Sequence, residues 1–261
     1  MTCLLGIICN QSERMARALE PVSSVLVAPA PVARWGLGYA QGGEILLSRS
    51  PRLHTEDVDF YAALQGLRTD CVIAHACSPD DFSGNINTQP FRYRQWMFAQ
   101  EGCAPSLPAV QAAAFEHIPD FLQRNIRGRT LDEQLFHIFL GHLHRVGSLD
   151  EANLSPERTC ELTSEALRTF RSAVGTTGAV VELGNLMLSN GRSFVAIRLG
   201  QPLYLRRLNI PTPRSGRDDS FRGVLVVSAS NAPGEGFEEI PLHSALRVSR
   251  DVHTDIAPLT L

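Results

Sequence analysis

Chemistry in this sequence could arise at its N-terminus, at a histidine group and at an arginine group. The apolar run Cys3-Leu4-Leu5-Gly6-Ile7-Ile8-Cys9 begins almost at the chain terminus. Most chains leave their first residues loose, so a core strand starting at residue 3 places the α-amine and residue 2 inside or beside the fold. His137, His142 and His144 share one predicted helix, with Asp150 and Glu151 nearby. Their spacing is not HExxH and a third ligand is missing, so a half-exposed helix face is the plainer expectation. Arg206, Arg207, Arg214, Arg217 and Arg222 gather around a Pro- and Gly-rich stretch and could meet an anionic ligand or an acidic partner. Asp218 and Asp219 offset part of that charge, and a solvated loop is the simpler reading. His75 falls in a predicted core strand, where a hydrogen-bonded structural histidine is expected. The 24 Lys-plus-Arg residues are all Arg, which excludes a Schiff-base lysine and a phosphate-binding lysine of the P-loop kind.

The elements that must position these groups are legible as periodicities. Cys3 to Cys9 is apolar on both faces and predicts a doubly buried strand. Gly36 to Tyr39 and Glu44 to Leu47 predict a hairpin through Gln41-Gly42-Gly43, and Cys71 to His75 and Trp96 to Ala99 predict further strands. Trp96 and Met97 read as sheet core. Helical spacing covers Glu56 to Leu67, Leu107 to Arg124 with a break at Pro119, and Leu131 to Val146. In the last of these, Thr130 is the expected N-cap and Glu133 its reciprocal capping-box partner. Ser155 or Pro156 opens another helix through Phe170. Ala179 to Leu183, Leu186 to Leu188, Ser193 to Leu199, Val224 to Ala229 and Ile240 to Leu242 predict late strands, and Pro211 to Gly223 a loop. Strands, then helices, then strands suits helices layered on antiparallel sheets.

With 261 residues, 44% apolar and 20% charged, the chain can bury a self-sufficient core. A net charge of -3 carries no basic footprint for nucleic acid. The six scattered cysteines form no CxxC and no compact disulfide framework, and are expected to be reduced thiols. The N-terminus lacks the basic flank of a signal peptide and no stretch is long enough to span a bilayer. The expectations are therefore a cytoplasmic location, no membrane or nucleic-acid partner, and no cofactor or metal.

Several short pieces, in order, carry a resemblance that spans nearly the whole chain. They are Met1-Thr2-Cys3-Leu4-Leu5-Gly6, Trp35-Gly36-Leu37-Gly38-Tyr39, Ile73-Ala74-His75-Ala76-Cys77, Asn87-Thr88-Gln89-Pro90-Phe91, Phe98-Ala99-Gln100-Glu101-Gly102 and Thr130-Leu131-Asp132-Glu133, followed by Phe194 to Arg198 and Val227 to Ser230. This pattern resembles class II glutamine amidotransferases, particularly the small stand-alone subgroup that includes the ergothioneine-pathway amidohydrolase. The resemblance implies an α+β fold of the N-terminal-nucleophile (Ntn) hydrolase kind, an α/β/β/α sandwich forming one domain over residues 1–261.

It also implies what the site would need. The family's nucleophile is a cysteine exposed by loss of Met1, with the free α-amine as base; Thr2 occupies that position, and an amine near pKa 8 is a workable proton acceptor. Cys3 cannot substitute, because one step along a strand turns the side chain to the other face. Cys77 stands where the family arginine grips the substrate carboxylate, and Leu131 where an aspartate meets the substrate amine. The oxyanion-hole pair, Asn-Gly in the family, is Glu101 and Gly102; an ionised Glu101 would put an acceptor where a donor is required. Gln89 and Gln100 replace family histidines, and Ala33-Arg34 replaces an Asp-Gly. These departures imply a scaffold kept with little or no glutaminase activity, serving as a binding or regulatory protein for a small-molecule amide or a protein partner. An Ntn amidohydrolase using Thr2 on another amide is the alternative.

Overall fold

The computed structural model describes residues 3–78, 84–101, 107–211 and 220–261. Its elements in chain order are β1 (Cys3–Cys9), α1 (Met15–Leu19), β2 (Val27–Ala28), β3 (Arg34–Gln41), β4 (Glu44–Ser50), β5 (Val58–Asp59), α2 (Phe60–Leu64), β6 (Cys71–Cys77), β7 (Phe91–Tyr93) and β8 (Trp96–Gln100). Helices α3 (Pro108–Phe115), α4 (Asp120–Gln123), α5 (Leu131–Arg145) and α6 (Pro156–Thr176) follow. The chain closes with β9 (Leu186–Ser189), β10 (Phe194–Arg198), β11 (Leu203–Ile210), β12 (Phe221–Ser228), β13 (Glu238–Glu239), β14 (Ser244–Val248) and β15 (Thr254–Pro258).

Two antiparallel sheets pack face to face. One runs β13-β11-β12-β1-β6-β3-β4 and the other β15-β14-β10-β9-β8-β7. Three apolar layers follow from the alternation of side chains along these strands. Between the sheets lie Leu4, Ile8, Ile73, Met97, Met187, Phe194 and Leu246. The outer face of the first sheet buries Leu5, Ile7, Leu37 and Val72 under α1 and α2. The outer face of the second buries Trp96, Phe98, Leu188 and Val195 under α3, α5 and α6. The result is the α/β/β/α sandwich that the sequence led us to expect.

Glycine is required where the layers approach closely. A Cβ on Gly6 would stand 2.3 Å from the Phe194 ring and 2.8 Å from the Met187 sulfur, and one on Gly36 would stand 2.4 Å from the Gln89 carbonyl. Two glycines in the short pieces singled out above therefore serve packing.

The buried strand at Cys3, the hairpin turning at Gly42-Gly43 and the strands at Cys71 and Trp96 all form as expected. Other elements correct the sequence reading. Only Phe60–Leu64 of the segment from Glu56 to Leu67 is helical, because Val58–Asp59 pairs as β5 with β2 and Asp59 then caps α2 through the Ala62 N–H. Residues 179–185 stay irregular, with Val180 92% exposed. The strand expected at Ile240 lies two residues earlier, where Glu238–Glu239 pairs with Tyr204 and Leu205. At α5 the Thr130 hydroxyl accepts the Glu133 N–H at 3.4 Å, but the Glu133 carboxylate reaches past the N-cap to the N–H groups of Arg127 and Gly128, at 3.0 and 2.6 Å. The helix is not half exposed: from Leu131 to Leu143 it is buried, with His137 4% and His142 7% accessible. His142 bridges to α6 through Glu165 and Thr169, both at 3.1 Å.

Candidate functional site

The strand register brings the singled-out residues to one end of the sandwich. Strand β1 is central, and Cys3 pairs with Ala76 of β6, one residue before Cys77. Arg34 of β3 pairs with Cys77 itself. The end of β12 arrives beside β1 with Ser228, whose hydroxyl accepts the Leu4 N–H at 3.0 Å. Glu101 follows β8 in the facing sheet and interacts with both Ser228 and the Cys3 thiol. Thr2 and Gly102, the expected nucleophile and the second oxyanion-hole position, lie outside the described residues.

Glu101 is held on both sides. Its carboxylate accepts from Asn185 Nδ2 at 2.8 Å and from the Ser228 hydroxyl, and its backbone N–H donates to the Asn185 carbonyl at 2.6 Å. Asn185 is fully buried and saturated: its second amide proton goes to the Gln201 carbonyl, and its Oδ1 accepts the N–H groups of Leu199 and Gly200. Burial pushes the Glu101 carboxyl up to about 7, against the lowering effect of its two donors. The Cys3 thiol is pushed up to about 12, by burial first and then by the Glu101 charge, and its side chain packs against the outer apolar layer of the first sheet. A thiol so placed stays protonated at neutral pH and is a poor nucleophile.

Neither of the two positions that the sequence resemblance matches to the family's substrate-binding charges bears a charge. Cys77 is buried, and Leu131 is 1% exposed among the apolar side chains under α5. In each case, however, a charge stands at a neighbouring position. Arg34, 2% exposed, directs its guanidinium toward Cys77, with Nε donating to the Asn87 carbonyl at 3.1 Å and Nη2 lying 3.6 Å from the thiol sulfur. Asp132, buried on the first turn of α5, accepts from Gln89 Nε2 at 3.4 Å. Gln89 in turn accepts the Gln100 N–H at 2.6 Å, so Gln89 and Gln100 are wired to each other and to Asp132.

Sequence reasoning marked Arg34 only as a departure and did not single out Asp132, Asn185 or Ser228. The pairing of Arg34 with Cys77 follows from aligning Trp35 to Tyr39 against Ile73 to Cys77, a register that side-chain alternation alone could have suggested. Nothing local marks Asn185, which works through irregular backbone 84 residues from Glu101. Of the surface arginines, Arg206 stacks on Phe237 and bonds the Glu235 carbonyl, and Arg207 forms a two-pronged pair with Glu238. Arg214 and Arg217 lie outside the described residues. The five cysteines among the described residues are free thiols, and no helix among those residues is long and apolar enough to cross a membrane.

The fold defined by these layers is that of class II glutamine amidotransferases. A glutamine aminotransferase class-II domain protein from Silicibacter pomeroyi superimposes with a TM-score of 0.65 at 16% identity, covering 99% of this chain and 100% of that one. A predicted glutamine amidotransferase from Pseudomonas aeruginosa gives 0.58 at 16% identity, over 96% and 98% of the two chains. The glutamine phosphoribosylpyrophosphate amidotransferase of B. subtilis gives 0.54 at 13% identity, with 99% of this chain covering 49% of that enzyme. No protein-family model matches the sequence, and no curated protein matches it.

Proposed function

We propose that this chain uses the amidotransferase scaffold as a binding or regulatory protein and has little or no glutaminase activity. The observation that carries the reading is Glu101. A tetrahedral intermediate on this scaffold needs a donor at that position, and the chain supplies a carboxylate anchored by Asn185 and Ser228. Loss of one oxyanion donor costs roughly 100- to 1,000-fold in rate, and a negative charge in its place adds repulsion. Cys77 and Leu131 support the same conclusion, since neither gives free glutamine a charged partner. Losing one desolvated charge contact costs on the order of 2 to 5 kcal/mol. Arg34 and Asp132 keep charge near both positions, which favours a pocket remodelled for another ligand over one merely decayed.

A second reading, an Ntn amidohydrolase with Thr2 as nucleophile and its amine as base, is favoured by one observation. With its carboxyl raised to about 7, Glu101 carries a proton in about half the molecules at neutral pH and could then donate to an oxyanion. The two readings separate by a pH profile of amide hydrolysis. The second requires Thr2-dependent hydrolysis that declines as pH rises through the Glu101 titration and loses that limb in Glu101→Gln. The first expects no Thr2-dependent hydrolysis at any pH. Intact-protein mass spectrometry of untagged protein shows first whether Thr2 is exposed at all.

A further inference from the structure

A cavity of about 250 Å³ lies between the end of β4, the segment at Asn85, β7 and the first two turns of α5. Three arginines line it: Arg49, Arg92 and Arg127. Glu133 is the acidic residue lining it, and its carboxylate is already engaged by the Arg127 and Gly128 N–H groups. The cavity wall is therefore net cationic.

Two buried polar atoms of this wall have no hydrogen-bond partner among the described residues, and they are of opposite kind. Arg49 bonds the Asn85 and Pro90 carbonyls through its terminal nitrogens, leaving Nε–H as a donor without an acceptor. His137 is 4% exposed and bonds the Glu133 carbonyl through Nδ1 at 2.7 Å. A carbonyl only accepts, so Nδ1 carries the proton and Nε2 presents a lone pair without a donor. Buried polar atoms left so are uncommon and call for a reason. Burial also pushes Arg49 down to about 10, with Arg92 adding to the effect and Glu133 opposing it, and burial pushes His137 down to about 4, so the ring stays neutral.

We propose that this cavity is a binding site for a small phosphate compound that presents an O–H beside its anionic oxygens. Anionic oxygens answer Arg49, Arg92 and Arg127, since guanidinium and phosphate match in charge and geometry. The O–H answers His137 Nε2, which a fully deprotonated anion without a hydroxyl cannot do. The volume lies below the usual range of about 300 to 1,000 Å³ for drug-sized ligands, which selects inorganic hydrogen phosphate or a short hydroxylated phosphomonoester over a nucleotide. Through the turn at Asn85–Asn87, whose Asn85 carbonyl bonds Arg49 and whose Asn87 carbonyl bonds Arg34, occupancy would be felt at the Cys77 end of the sandwich.

The test is calorimetric titration and thermal unfolding of the full chain with inorganic phosphate, glycerol 3-phosphate and sulfate. Sulfate matches phosphate in shape but offers no O–H at neutral pH. The expected result is saturable binding of at least one phosphate compound, about tenfold or more tighter than sulfate, with the tighter of the two identifying the source. The variant Arg92→Gln/Arg127→Gln, at two exposed positions, is expected to fold and to weaken that binding by about tenfold or more. Absence of saturable binding, sulfate binding equal to phosphate, or unchanged affinity in a folded double variant would each overturn the proposal.

Discussion

Arg34 and Cys77 face each other across the β3–β6 ladder, and the guanidinium of the first lies 3.6 Å from the sulfur of the second. Position 77, which the sequence resemblance matches to a family arginine, holds a thiol, while Arg34 on the neighbouring strand directs its guanidinium to the Asn87 carbonyl at 3.1 Å. At the start of α5 the charge stands one residue along the chain, where Leu131 is buried in apolar surroundings and Asp132 bears the carboxylate. Both substitutions keep charge in the neighbourhood while changing what it touches.

If Arg34 holds the turn at Asn87 in place, Arg34→Met removes a charged donor from a buried carbonyl. Hydrogen bonds to charged groups contribute about 1.5 to 3 kcal/mol, and a loss of that size is expected as a lower urea midpoint with an unchanged slope. An unaltered midpoint would mean that the guanidinium contributes nothing net where it lies.

Glu101 makes the stability depend on pH in a particular direction. Its carboxyl titrates near 4.5 when unfolded and at about 7 in the fold, so between these values the folded state binds more protons than the unfolded one and stability falls as pH rises. Glu101→Gln removes the charge and keeps one carbonyl oxygen as an acceptor. At about pH 8 this variant is expected to be more stable than the wild type by about 1 to 3 kcal/mol, with no difference below about pH 4.5. Chemical denaturation at both pH values checks this; a variant less stable at the higher pH would show that the ionised carboxylate is a net stabiliser.

The carboxylate of Glu133 satisfies two backbone donors in the approach to α5, so Glu133→Ala leaves both without a protein partner. Each such loss costs about 1 to 3 kcal/mol when buried, and a combined loss of about 2 to 4 kcal/mol is expected in chemical denaturation. Thr130→Ala, which removes only the N-cap acceptor, is expected to cost about 1 kcal/mol. Equal costs for the two would indicate that the Glu133 bonds add nothing beyond ordinary capping.

The parts of the fold that were legible in the sequence are those whose pattern answers to local rules. Cys3 to Cys9 is apolar on both faces because it is central in a sheet covered on both sides, and the β3–β4 hairpin turns at Gly42 and Gly43, both with positive φ. β11 carries a weaker signal because Arg206 and Arg207 interrupt its apolar run; both are paired along the sheet edge with the segment Glu235 to Glu238. The stretch from Ala179 to Leu183 has strand composition but finds no partner strand among the described residues. At the site, the altered identities at positions 77, 101 and 131 were visible from motif order, whereas the compensating positions were not. Arg34 depends on strand register, Asp132 on the helix phase, and Asn185 and Ser228 on how the two sheets meet.

The most direct test of the central claim is glutamate and ammonia production from glutamine by untagged protein whose exposed Thr2 has been verified by intact mass, run beside Thr2→Ala. The account predicts no release above that variant. Thr2-dependent release of glutamate from glutamine would contradict it and place this chain among working glutaminases despite Glu101, Cys77 and Leu131.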